Sequence, residues 1–96
     1  MRFRHYDALR TFTLIAAKLS LTQAALELGL TKGAISHQLR TLEDQLGFKL
    51  LERSPRGVTL TQKGQVLFDA SSTAFGAIDR QVDSLRTASG RSVTLG

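Results

Sequence analysis

The strongest local pattern in the sequence is SLTQAALELGLTKGAISHQLR, residues 20–40. Ser20, with a glutamine three residues later, has the pattern of a capping box and predicts the start of a short helix that Gly29 ends. Thr31 can cap a following helix through its hydroxyl group. Two helices that cross at about 90–120° must approach closely, so Ala25 gives room while Gly29 can take the left-handed turn conformation. The stretch therefore predicts two helices joined by a tight turn.

Apolar spacing indicates which faces of these two helices are buried. The inner face of the first is marked by Ala24, Ala25 and Leu28. In the second, apolar residues recur at intervals of four, three and four, at Ile35, Leu39, Leu42 and Leu46. Gly47 then ends the helix, and Leu28, Leu30 and Ile35 are expected to fill the crossing. The outer face of the second helix is left exposed.

Further elements flank this pair of helices. Residues 6–18 carry an apolar stripe and predict a preceding helix, with its inner side chains at Leu9, Phe12, Ile15 and Ala16. Downstream, residues 50–53 and 58–60 are strand-like, and Ser54-Pro55-Arg56-Gly57 between them has the turn chemistry of a β-hairpin. The predicted fold is mainly α: a winged helix-turn-helix of three helices plus a β-hairpin wing in residues 1–60, followed by a long helix.

The long helix is predicted from Thr61 to about Ser89, because no proline interrupts this segment. Its apolar residues form a heptad seam of Phe68, Phe75, Ile78, Val82 and Leu85. Such a helix would span about 43 Å and project beyond so small a core. The first seam residue can reach the core of its own chain, whereas the other four lie too far along and are expected to contact a second copy. Residues 61–90 are thus predicted to be a dimerisation helix.

Charge indicates the chemistry of the partner. The chain of 96 residues has a net charge of +5 and a sequence pI near 10.5. Nine of its thirteen lysines and arginines lie in residues 1–60, against five acidic residues there, whereas residues 61–96 are nearly balanced. A basic domain of this kind favours a polyanionic partner.

Several functions are disfavoured by the composition. There is no cysteine, and the two histidines, His5 and His37, are too far apart in sequence to suggest a metal site. No carboxylate pair, nucleophile with a base, or phosphate-cradling glycine loop is present, so neither an enzyme nor a cofactor in this chain is predicted. No apolar run approaches the roughly 20 residues of a membrane span, and no signal-peptide pattern follows the N-terminus. We expect a soluble, cytoplasmic protein with no membrane partner.

The outer face of the second helix of the pair carries the candidate reading residues. Lys32 can donate to guanine O6 or N7, while Ser36 and His37 can hydrogen-bond to base edges. Gly33 lies on the same face. All are near the N-terminal half, which is the end that a recognition helix presents to the major groove. Arg40, one turn further along, is expected to meet phosphate.

The segment of residues 20–36, together with positions after it, resembles the N-terminal domain of LysR-type transcriptional regulators. The resemblance covers residues 7 to about 90, and its branch is indicated by Leu9-Arg10-x-Phe12 and Ala34-Ile35-Ser36, which resemble the glycine-cleavage-activator and β-lactamase-regulator branch. Besides residues 20–36, the matching positions are Leu42-Glu43, Leu46-Gly47, Leu50, Arg53, Arg56-Gly57 and Leu60-Thr61-x-x-Gly64.

The resemblance implies a homodimeric, sequence-specific regulator that binds double-stranded DNA through a winged helix-turn-helix and pairs through its linker helix. Full-length members carry a two-lobed ligand-binding domain, so a small-molecule effector and a tetramer of the longer protein are implied. Residues 89–92 are predicted to be a break. Residues 91–96 would begin the effector-binding domain, which this chain lacks, and residues 92–96 alternate like a strand.

The resemblance also implies a set of contacts by matching position. Bases would be approached by Lys32, Gly33, Ser36 and His37, phosphates by Thr22, Thr31 and Arg40, and the backbone or minor groove by Arg53 and Arg56 of the wing. Lys32 stands where the family often has glutamine, and Gly33 where proline or serine is common, so base preferences cannot be copied from relatives. Leu51 replaces the usual phenylalanine, a change expected to affect packing alone.

The residues themselves also allow interpretations without DNA binding. The crossing residues could belong to any pair of antiparallel helices, and the cations could be ordinary solvated charges. The hydroxyl of Ser36 could bond to a helix carbonyl instead of DNA. The long helix could be the whole function, as a protein-interaction module whose basic end only aids solubility, and a gel shift at modest salt separates this alternative from DNA binding.

Overall fold

The computed structural model describes residues 2–91. Within that range the order of elements is α1 Tyr6–Lys18, α2 Leu21–Leu28, α3 Lys32–Leu46, β1 Leu51–Ser54, β2 Gly57–Leu60 and α4 Gln62–Arg91. The prediction of a mainly α fold with three helices, a hairpin wing and a long helix is confirmed. The predicted strand at 92–96 lies outside the described residues.

Helix α1 is the centre of the fold and packs against α2, α3 and α4. Its side chains Phe12 and Ile15 are fully buried, as the apolar stripe of the sequence predicts. Ile35 of α3, Leu42 of α3 and Leu50 complete the set of large, fully buried side chains. The core therefore lies beneath α3 and leaves the opposite face of that helix exposed.

The helix boundaries follow the predicted caps. The hydroxyl of Ser20 accepts the backbone N–H of Gln23 at 3.1 Å, and that of Thr31 accepts the N–H of Ala34 at 3.0 Å. Gly29 has a φ of +68°, the left-handed conformation that ends α2 and opens the turn. The turn between α2 and α3 is thus built as the sequence predicts.

The packing of the turn corrects one expectation. Leu28 and Leu30 were expected to fill the crossing with Ile35, but their exposed fractions are 38% and 42%, and only Ile35 is buried. The inner face of α2 ends one turn earlier, at Ala25, whose small side chain lets α3 approach. The backbone N–H of Leu30 donates to the carbonyl of Ala25 at 3.0 Å, so hydrogen bonds of the main chain close the turn.

The wing starts one residue later than predicted. Leu50 lies outside the ladder because its N–H donates to Oε2 of Glu43 at 2.7 Å and its carbonyl accepts the N–H of Thr61 at 3.0 Å. Strand β1 then pairs with β2 in antiparallel register, with Leu51 opposite Leu60. Leu51 is buried in the core, which agrees with the prediction that its exchange for phenylalanine concerns packing.

The start of α4 is tied to the segment before the wing. The hydroxyl of Thr61 donates to the carbonyl of Lys49 at 2.8 Å and accepts the N–H of Gly64 at 2.9 Å, so Thr61 caps the helix. A Cβ at Gly64 would overlap the carbonyl oxygen of Leu50 and lie 2.9 Å from its carbonyl carbon. Only glycine therefore allows α4 to begin so close to the wing.

The first half of α4 packs on the core of its own chain. Ser71 is buried, and its hydroxyl lies 2.7 Å from that of Thr13 on α1. Phe68 and Phe75 are half-buried against the core, and the Arg10 guanidinium lies 5.8 Å from the centre of the Phe75 ring. The expectation that Phe75 lies too far along to reach the core is wrong, because α1 runs beside α4 over this length.

The second half of α4 carries the remaining seam residues on its surface. Ile78, Val82 and Leu85 are 57%, 39% and 61% exposed. The helix continues to Arg91, so the break predicted at 89–92 begins at least three residues too early. No helix in residues 2–91 is both long and apolar enough to cross a membrane.

Candidate nucleic-acid interface

The outer face of α3 presents the predicted reading residues together. Lys32, Gly33, His37 and Arg40 are exposed, and Ser36 is half-buried among them. The face is kept clear because the buried apolar side chains of α3, Ile35, Leu39 and Leu42, lie on the opposite side of the helix, which packs against α1. A helix with one polar and cationic face exposed over its first half can enter the major groove of DNA.

The wing is joined to α3 by a hydrogen bond that sequence reasoning missed. Nη2 of Arg53 donates to Oγ of Ser36 at 3.0 Å. This bond places the guanidinium of the wing beside the middle of the exposed face of α3, the face with Lys32, Ser36 and His37, here named the reading face. The hydroxyl of Ser36 is thus held by Arg53, whereas the sequence left a helix carbonyl open as its partner.

A groove of about 390 Å³ lies between the wing and the starts of α2 and α3. Its polar lining includes Thr22, Lys32, Arg53 and Arg56, four of the predicted contact residues. No carboxylate is among the described residues that line it. Three cations without a countercharge make this groove suited to a phosphate chain.

Two more clefts border α3 and hold the other reading residues. One of about 520 Å³ contains Ser36, Arg40 and Arg53 together with the carboxylates of Glu43 and Glu52. The other, on the far side of α3 from the wing, contains His37. Gly33 lies on the exposed face. Thr31 caps α3, with its hydroxyl accepting a backbone N–H.

The root of the wing is fixed by a buried carboxylate. Oε2 of Glu43 accepts the N–H groups of Leu50 and Leu51 at 2.7 and 3.2 Å, and Nζ of Lys49 lies 3.7 Å from Oε1. Glu43 is on α3, so its carboxylate connects this helix with the first residues of the hairpin. The resemblance gave Glu43 as a matching position but no role, and a lone acidic residue in a helical pattern reveals no such partners.

The arrangement of these elements is that of a DNA-binding protein. Two helices in a tight turn, a second helix with an exposed polar face and a hairpin with cations beside it form a winged helix-turn-helix, a fold that binds DNA. The profile of the family described as "Bacterial regulatory helix-turn-helix protein, lysR family" matches residues 6–65. The chain belongs to this family, which confirms the resemblance read from the sequence.

Similar proteins agree with the indicated branch. The chain is 49% identical over 74 residues to the HTH-type transcriptional regulator BlaA of Proteus vulgaris, covering 77% of this chain and 25% of that protein. It is 50% identical over 62 residues to the glycine cleavage system transcriptional activator of Escherichia coli strain K12, covering 65% and 20%. The chain thus spans a quarter or less of the length of these relatives. Both names are those of transcriptional regulators, in agreement with the prediction that this chain is not an enzyme.

A solved structure extends the likeness to a complex with DNA. The crystal structure described as the BenM_DBD/catB site 1 DNA complex is 28% identical and superposes with a TM-score of 0.76. The match covers 91% of this chain and 96% of that one. The fold of this chain is therefore one that occurs bound to DNA in a protein of similar sequence.

Proposed function

We propose that this chain binds a roughly palindromic site on double-stranded DNA as a homodimer and so acts as a sequence-specific transcriptional regulator. Each α3 enters a major groove, and each wing lies on the backbone or in the minor groove. The observation that carries the proposal is the clear polar face of α3 with Arg53 of the wing bonded to Ser36 at its side. The BenM complex with DNA supports it.

The contact residues divide into two groups by chemistry. Lys32, Gly33, Ser36 and His37 face the bases, where a donor, a hydroxyl and an imidazole can read hydrogen-bonding edges. The phosphate group comprises Thr22, Thr31, Arg40, Arg53 and Arg56. Neutralising phosphates supplies most of the affinity, so binding is expected to fall steeply as salt increases.

The homodimer is proposed to form through α4. Ile78, Val82 and Leu85 recur on one stripe of that helix and are exposed, while Phe75 borders the stripe from the edge of the core. A second copy of the helix would bury this stripe as in a coiled coil. The distance between the two α3 helices, and hence between half-sites on DNA, then depends on where the two α4 helices cross.

The longer protein is proposed to follow its relatives. Residues 1–60 would be the DNA-binding domain, 61–90 the linker helix, and 91–96 the start of an effector-binding domain for a small molecule. A tetramer could then assemble through that further domain. Because its partner is the chromosome of the cell, the protein is proposed to act in the cytoplasm.

Selection of bound sites from random duplex DNA tests the whole proposal. We expect an enriched motif with two inverted half-sites whose centres lie about one helical turn, or a multiple of it, apart. Gel shifts over a salt series should give a linear loss of log affinity with log salt. A monomer that binds no duplex of any sequence at low ionic strength would refute the proposal.

A pair of variants tests the separation between base-reading and phosphate-binding residues. Arg56→Ala, which removes a cation of the groove with no bond to α3, should weaken cognate and random DNA alike. His37→Ala should weaken the cognate site by about 5- to 150-fold more than random DNA, equivalent to about 1–3 kcal/mol. His37 is a better choice than Ser36 for testing base reading. The hydroxyl of Ser36 also holds Arg53, so removing it would change both base and phosphate contacts. Equal losses on both kinds of DNA for His37→Ala would contradict the separation.

A further inference from the structure

The segment before α1 lies beside the reading face of α3, on the opposite side from the wing. Residues 2–5 form this segment, here named the N-terminal arm. Its Arg4 and His5 line a cleft of about 370 Å³ together with His37, Gln38 and Thr41 of α3. The arm therefore borders the reading face from one side as the wing borders it from the other.

The arm is docked on the protein through its aromatic side chain. Phe3 is half-buried against the core, and its ring makes edge-to-face contacts with His5 and Tyr6 at centroid distances of 5.9 and 5.1 Å. The hydrogen bond that Oγ1 of Thr11 donates to Oε1 of Gln38, at 2.6 Å, holds α1 and α3 together just behind the cleft. Arg4 thus extends from an anchored segment.

The charges of the arm have no partner within the described residues. Arg2 and Arg4 are exposed, and no carboxylate in residues 2–91 lies within 4.0 Å of either guanidinium. One acidic side chain, Asp7, also lines the cleft. The lining of the cleft therefore includes the guanidinium of Arg4, which has no ion-pair partner in residues 2–91, two imidazoles and one carboxylate.

A helix in the major groove is bordered by a phosphate chain on each side, and these chains belong to opposite strands. The wing, with Arg53 and Arg56, meets one of them. We propose that the N-terminal arm binds the other, with Arg4 as the residue that contacts phosphate and Phe3 as its anchor. This proposal rests on the insertion of α3 into the major groove proposed above. It adds Arg4, which the sequence did not predict as a contact residue.

Arg4→Ala and Asp7→Asn test the arm with opposite expected signs. Arg4→Ala should weaken binding to cognate and random DNA by about 5- to 10-fold at low salt and reduce the salt slope by about 0.9 for each arm. Asp7→Asn should strengthen binding by about 2-fold, because it removes a negative charge facing the phosphates. A gain in affinity cannot arise from misfolding. Arg80→Ala, which removes an exposed arginine on the outer half of α4, is the matched control and should change neither quantity.

Ethylation interference on the cognate site locates the contact. Arg4→Ala should relieve interference at phosphates across the major groove from those relieved by Arg53→Ala. If Arg4→Ala and Asp7→Asn both keep the affinity and salt slope of the parent chain while Arg53→Ala loses both, the arm is not a contact and this inference is overturned alone. If Arg53→Ala and His37→Ala also have no effect on binding to the cognate site, the insertion of α3 itself is refuted.

Discussion

The two halves of α4 carry the same heptad pattern and have different surroundings. In the inner half, Phe68 packs against the core, and the buried hydroxyl of Ser71 lies 2.7 Å from that of Thr13 on α1. In the outer half, Ile78 and Leu85 occupy the same register as Ser71, at intervals of seven residues, but are more than half exposed. One part of the seam is therefore covered within the chain, whereas the other part is left exposed for the second copy proposed above.

The physical reason is the length of α1. That helix has 13 residues, or about 20 Å at the usual rise, whereas α4 has 30 residues and spans about 45 Å. α1 can therefore cover only part of α4. Phe75, with the guanidinium of Arg10 over its ring, marks the end of the covered part.

Disrupting the outer half of α4 should have a stronger effect than any other change to this helix, because it acts on the proposed dimer. The double variant Ile78→Asp with Leu85→Asp places two carboxylates in the proposed seam, where burial of unpaired charge opposes association. We expect the dimer dissociation constant to rise by at least about 1,000-fold, equivalent to about 4 kcal/mol, as measured by sedimentation equilibrium. Val66→Asp, on α4 but off the seam, is the control that should leave it unchanged. A double variant that stays dimeric would place the interface elsewhere.

The next effect concerns the inner half, where α4 begins. Gly64→Ala drives a methyl group into the carbonyl of Leu50, so the free energy of unfolding should fall by about 2–3 kcal/mol. Gly76→Ala is the matched control, because its Cβ would meet only the far end of the exposed Arg80 side chain, at 3.4 Å. Alanine in a helix interior should stabilise by about 0.5–1 kcal/mol relative to glycine. Urea denaturation at one fixed protein concentration measures both. Equal midpoints for the two variants would contradict the close approach at Gly64.

A smaller loss of stability is expected where the two halves of α4 meet. Ser71→Ala removes the hydroxyl that meets Thr13 and should lower the free energy of unfolding by about 1 kcal/mol. Ser84→Ala, on the exposed outer half, should not lower it. Thermal unfolding followed by circular dichroism separates the two. If both serines prove equally dispensable, the contact between α1 and α4 contributes less than its geometry implies.

Local patterns in the sequence predicted the elements well. Ser20 and Thr31 were predicted as caps and each accepts the expected backbone N–H group, while Gly29 ends α2 in the left-handed conformation. Such signals involve neighbours three or four residues apart, so they can be read without knowing the tertiary structure. The exposed face of α3 could be predicted for the same reason.

Contacts between distant segments could not be predicted in this way. Ser36 and Arg53 are 17 residues apart, and their hydrogen bond depends on the angle between the wing and α3. The exposure of Leu28 and Leu30 depends on how far α2 extends beside α3, which periodicity does not give. The docking of Phe75 depends on the overlap of α1 and α4. Each of these is a property of packing, and the apolar pattern alone allows either outcome.

The carboxylate of Glu43 has a mechanical consequence. Because one side chain of α3 accepts the first two main-chain donors of the wing region, tilting the hairpin relative to α3 would leave buried polar groups unsatisfied, at about 1–3 kcal/mol for each. The wing and α3 should therefore follow a curved duplex as a rigid body. In the proposed dimer, any adjustment between the two protomers on bent DNA would then be left to bending or sliding of the outer half of α4.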